Sequence, residues 1–136
     1  MSFSDNEWRL LRATRPNILV VGAEDVVRST VAQLAAELPG PVSYLGANAS
    51  PPHSLDEAGM LVVPDVAVLS PERQREWLTW LSGEDVRRPQ IVATSSVPVY
   101  PFVAEDRFSE LLYYRLNTIL LDMQTSRGAY RRYSEF

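Results

Sequence analysis

Three apolar runs set the terms on which this chain can fold: "ILVV" (Ile18–Val21), "MLVVPDVAVL" (Met60–Leu69) and "PQIVATSS" (Pro89–Ser96). Short, continuous and rich in β-branched residues, they read as strands buried on both faces. Pro64 interrupts the second run. It cannot donate a ladder hydrogen bond, so that strand is expected to end near it. Helical spacing fills the gaps between runs. From Asp25 to Leu38, Val27, Val31, Leu34, Ala35 and Leu38 share one face, and "PGP" at Pro39–Pro41 stops the helix. From Pro71 to Leu81, Gln74, Trp77, Leu78 and Leu81 share another, with Ser70 as N-cap and Pro71 at the first position. "VSYLG" (Val42–Gly46) and "TILL" (Thr118–Leu121) read as two further strands, and Glu7–Arg12 and Asp106–Leu116 as helices. "ANASPPHS" (Ala47–Ser54) is a loop by composition, and "VPVYP" (Val97–Pro101) an extended connection. Alternating strands and helices predict an α/β fold: a mostly parallel five-stranded sheet with helices on both faces. Ligands of such sheets lie at the C-terminal strand ends, here Gly22–Asp25, Pro64–Asp65 and Ser95–Ser96.

The 136 residues suit one domain, and 46% apolar content supplies a core. A net charge of −4 gives no global attraction to nucleic acid or to anionic membrane. There is no cysteine, which removes disulfides, thiol nucleophiles and thiolate-bound metal; His53 is the single histidine, so no histidine metal cluster is expected. No stretch approaches the roughly 20 apolar residues of a membrane span, and the N-terminus lacks a signal-peptide core, so the expected location is the cytoplasm.

"EAGMLVVPDVAVLSPERQREWLTWL", "IVATSS" and "RFSELLYYRLN" together resemble the Walker B region, the sensor strand and the R-F-R-E-D-L-Y-Y-R-L-N helix of the AAA+ ATPase domain of bacterial sigma-54-dependent transcription activators. "LYYRLN" is the most specific of the three, and order and spacing agree from about Arg15 to Leu121. The resemblance implies a three-layer P-loop NTPase-like core.

It also implies functional positions, several of them altered. The family's Walker A, G-E-x-G-T-G-K-E, meets "GAEDVVRS" here. Gly22 is kept, Asp25 and Val27 stand at the inner glycines, Arg28 stands at the lysine, and Ser29 follows. A phosphate loop needs consecutive backbone N–H groups and glycines that let phosphate approach. β-branched side chains resist that conformation, and Glu24 and Asp25 add negative charge. At Walker B, Pro64 and Asp65 meet the family's Asp–Glu pair. One carboxylate is kept, displaced by one place, which in a strand turns it to the opposite face. Ser96 meets the sensor asparagine. Of the family's two arginines offered to a neighbouring subunit, one position holds Ser109 and the other Arg115. The loop that touches the sigma factor has no counterpart in the dozen residues between Asn48 and Gly59. A C-terminal helical lid is likewise expected to be lacking, with fifteen residues after Leu121.

Residues 1–124 are therefore expected to form a truncated AAA+-like domain, and 125–136 a flexible, poorly packed tail. The expected role is a non-catalytic interaction module, pairing with itself or with an AAA+ activator, without direct DNA binding, membrane attachment, metal or bound cofactor. ATP binding is not expected, although the fold leaves it open. Arg107, Arg115 and Trp80 are candidate interface residues, although Arg115 equally suits a surface or ion-pairing role and Trp80 a cap on the core. Tyr113 and Tyr114 have the spacing of packing residues. A nucleotide sensor without turnover and a scaffold unrelated to transcription are the alternatives. Ser95, Ser96 and His53 lack the G-x-S-x-G elbow of a serine hydrolase. The arginine–tyrosine interleaving of "YRRYSEF" is too short to argue for nucleic acid.

Overall fold

The computed structural model describes residues 3–52, 59–83, 88–124 and, for the backbone only, 130–133. Five strands run parallel: β1 (Ile18–Val21), β2 (Val42–Tyr44), β3 (Met60–Val63), β4 (Gln90–Ser95) and β5 (Ile119–Asp122). A sixth, β6 (Tyr130–Tyr133), joins β5 antiparallel, giving the order β2-β3-β4-β1-β5-β6. The five expected parallel strands are all present, and β6 adds an antiparallel strand within the segment expected to be a free tail. The outer edge of β5 carries unpaired backbone groups, and a tyrosine-rich segment with strand propensity satisfies them.

Strand alternation sorts the core into two layers. Ile18, Val20, Met60, Val62, Val92, Ile119 and Leu121 face α1 (Asp5–Thr14) and α2 (Glu24–Glu37). Leu19, Val21, Leu61, Val63, Ile91 and Ala93 face α3 (Pro71–Ser82), α4 (Tyr100–Ala104) and α5 (Glu110–Leu116). α1 is longer than its apolar spacing alone predicts. Ser4 and Glu7 form a reciprocal capping box, and Phe3, Trp8 and Leu11 are buried against the sheet.

β3 ends at Val63, as Pro64 requires, and a single 3-10 turn (Val66–Val68) follows. Ser70 caps α3 by accepting from the Arg73 N–H. The loop from Ala47 is pinned to α3 from three points. Ser70 N–H donates to Asn48 Oδ1 (3.0 Å), Arg73 Nε to Asn48 O (3.1 Å), and Trp77 Nε1 to Ala49 O (2.9 Å).

The segment after β4 differs from expectation. Val97–Pro101 is not wholly extended: α4 begins at Tyr100 with Pro101 in its first turn, where a missing N–H costs nothing. The expected helix Asp106–Leu116 starts later, at Glu110. Asp106 is left-handed (φ 59°), which breaks the pattern, and the Ser109 hydroxyl caps α5 by accepting from Leu112 N–H (3.2 Å).

Candidate functional site

The C-terminal ends of β1, β3 and β4 converge on a cleft of about 470 Å3 whose lining includes Gly22, Glu24, Arg28, Pro64, Asp65 and Ser96. This is the position the parallel sheet dictates for a ligand. Its side walls are Val27, Val31, Val62 and the exposed ring of Tyr44.

The floor begins with a turn of only two residues. Val21 ends β1, Gly22 and Ala23 follow, and α2 starts at Glu24 with Ala23 as an N-cap that makes no side-chain bond. Val27 N–H already donates to Ala23 O (2.9 Å). The segment matched to the phosphate loop, Asp25–Ser29, is therefore helix. From Val27 onward its N–H groups are consumed by i→i−4 bonds. The N–H groups of the first turn stay open to a ligand, and Glu24 and Asp25 occupy that turn. Gly22 is kept for packing. Its N–H donates to Ser95 O (3.0 Å), and a Cβ there would stand 2.9 Å from Met123 Cβ.

Arg28 is the only cation among the residues lining the cleft. Its Nη2 lies 2.9 Å from Glu24 Oε1, one helical turn back, and both side chains are exposed. Ser29 is exposed on α2 and does not line the cleft. At the Walker B position the strand argument does not apply. Asp65 stands outside β3 in a left-handed turn (φ 51°) and lines the cleft beside Pro64. Its N–H donates to Thr94 Oγ1 (3.3 Å). Thr94, just before Ser95 at the end of β4, thus links to this turn; sequence reasoning did not single it out. Ser96 is exposed at the mouth, while the Ser95 hydroxyl donates to Val97 O and accepts from Val97 N–H. His53 lies outside the described residues. Among those described, no group of three or more His, Cys, Asp or Glu side chains could hold a metal ion.

Each candidate interface residue has its own local partners. Arg107 lies over the Phe102 ring (4.8 Å) and near Glu105 (3.5 Å). Arg115 donates from Nη1 to Leu81 O (3.2 Å) at the C-terminal end of α3, rather than to a carboxylate. Trp80 is half-buried, edge-on to Trp77 with centroids 5.4 Å apart, and faces Pro51 and Pro52 on the other flank of α3. Tyr113 is buried and packs against Tyr100 and Tyr114.

Strand order, layers and cleft position define a three-layer α/β core of the P-loop NTPase type. A family model for the sigma-54 interaction domain matches residues 5–125, and the chain belongs to that family. Solved structures agree on the fold. NtrX from Brucella abortus in complex with ATP is similar at TM-score 0.67 and 19% identity, over 94% of this chain and 38% of that one. The ADP complex of the same protein gives 0.66 and 18%, with the same coverage. The P-loop NTPase domain of an E. coli sigma-54 activator gives 0.60 and 20%, over 93% of this chain and 99% of that one. The chain thus spans well under half of the NtrX chains it matches. No curated protein matches significantly. No helix among the described residues is long and apolar enough to cross a membrane.

Proposed function

We propose that this sigma-54 interaction domain is a non-catalytic protein-interaction module of bacterial regulation, working in the cytoplasm without ATP hydrolysis. One observation carries the reading: α2 starts at Glu24, so the residues matched to the phosphate-cradling loop are helical. A phosphate chain needs a nest of free N–H groups, a mobile cation and a metal-holding carboxylate. Here the N–H groups beyond the first turn are bonded, Arg28 lies on an exposed helix face beside Glu24, and the remaining carboxylate, Asp65, sits in a turn set by backbone geometry. The sheet and its helices remain, and with them surfaces for a second copy or an AAA+ activator, on which Arg107 and Arg115 are exposed.

The second reading, a nucleotide sensor without turnover, is favoured by the cleft itself, which persists at the strand ends with the open first turn of α2 at its edge. Thermal melting with and without millimolar Mg-ATP separates the two, because a ligand that binds only the folded state raises the midpoint. The interaction-module reading expects no shift; a saturable rise would establish the sensor. Affinity capture from the source bacterium, read with light scattering of the purified chain, then tests the partner. A strict monomer that retrieves no AAA+ activator would end the interaction reading.

A further inference from the structure

Beside the α3–α5 seam lies a second, larger groove of about 910 Å3. Val68, Leu69 and Leu78 line its fixed side; Val97, Phe102 and Phe108 line the other. That second wall has an unusual attachment. Phe102 and Val103 donate their N–H groups to Val99 O, Glu105 to Pro101 O, Asp106 to Val103 O, and Arg107 and Phe108 to Phe102 O. Among the described residues, these backbone–backbone bonds all close within Val99–Phe108. Polar ties flank this stretch at both ends. At the first, the Ser95 hydroxyl holds both backbone groups of Val97. At the second, the Gln74 amide Nε2 donates to Arg107 O (3.2 Å) and to Leu69 O (3.0 Å), while its Oε1 accepts from Ser109 N–H (2.8 Å). Between the ends, three buried side chains, Val99, Val103 and Phe108, dock into the core, and the Tyr100 ring meets Tyr113.

We propose that Tyr100–Phe108 is a strap that opens as one unit, with Gln74 as its latch. A five-residue helix without a side-chain N-cap has no stability of its own once undocked. Opening therefore melts it, exposes Leu69 and Phe108 along the groove, and frees Arg107 from its place. Such cooperative local openings lie below the free energy of global unfolding. The strap makes the width of the groove and the position of Arg107 adjustable, whatever the partner is.

Amide hydrogen exchange of the full chain across low urea concentrations tests this. The amides of Phe102–Ser109 are expected to converge on one urea dependence, exchanging at least tenfold faster than those of Ile91–Ala93 and with a shallower slope. Gln74→Leu removes a latch present only in the closed state, so it should accelerate the strap amides about tenfold or more. Val31→Ala, in the opposite layer, weakens the global fold but not the strap. It should accelerate Ile91–Ala93 and leave the strap amides within about twofold. Strap amides that scatter over unrelated rates, or that follow Ile91–Ala93 in the wild type and in Val31→Ala, would overturn the proposal. So would a folded Gln74→Leu with unchanged strap rates. Should Gln74→Leu not fold, the wild type and Val31→Ala decide the matter alone.

Discussion

Gln74 and Ser109 stand 35 positions apart, yet the Ser109 N–H donates to the buried Gln74 side chain at Oε1, at 2.8 Å. The same side chain holds Leu69 O and Arg107 O, so one amide joins the exit of β3, the strap and the start of α5. Two of the motifs by which the chain resembles its family are thereby bonded to each other. Replacing Gln74 by alanine strands two acceptors and a donor; a loss of about 2–3 kcal/mol is expected, measured by urea unfolding.

Gly59 is kept for space. A Cβ there would lie 2.1 Å from Pro41 O and 2.8 Å from Pro41 N, which is backbone that cannot swing aside. The Gly59 carbonyl also accepts from Gln90 N–H (2.9 Å) and Arg15 Nη2 (2.7 Å). Gly59→Ala is expected to cost about 4 kcal/mol or more, or to prevent folding, read as lost soluble yield or a lowered urea midpoint.

At Asp65 the backbone, not the carboxylate, sets the requirement. With φ at 51°, asparagine and glycine fit and a β-branched residue does not. Asp65→Asn should leave the melting temperature within a degree or two, while Asp65→Val should lose about 1–2 kcal/mol. If both variants lost stability equally, the carboxylate would be the group that matters.

Arg28 makes an exposed i,i+4 pair with Glu24. Such pairs contribute about 0.3–0.5 kcal/mol, so Arg28→Ala should barely move the urea midpoint. Arg28→Lys restores the family's residue on a helix that still consumes the neighbouring N–H groups. It is expected to create no Mg-ATP-dependent rise in melting temperature; a saturable rise would show that the helix start can refold into a loop.

Much of this was legible in the chain. β1, the end of β3 at Pro64 and the Ser70 cap follow from apolar runs and from local chemistry within a few residues. The place of the cleft follows from them, because parallel strands aim their C-terminal ends at one site. The residues at Gly22–Ser29 that differ from the family pattern were legible too, and so was the helix, which the spacing begins at Asp25 and the structure at Glu24. What the fold added is the two-residue turn before it and the bond from Val27 N–H to Ala23 O. At Asp65 the alternation argument failed because the residue had left the strand. The extended reading of Val97–Pro101 overlaps only the first two residues of α4, a helix of five residues that carries too little periodicity to register and docks in the core through Val103, with Val99 just before it.

By itself, then, the sequence determined the five parallel strands, the helices α1, α2, α3 and α5 and the place of the cleft, because apolar periodicity and capping act between near neighbours. The tertiary structure alone decided what Gln74 holds, why Gly59 and Gly22 are glycines, where Trp80 and Arg115 point, and that β6 closes the edge of β5. Those depend on groups tens of residues apart meeting within about 3 Å, a distance that no local pattern encodes.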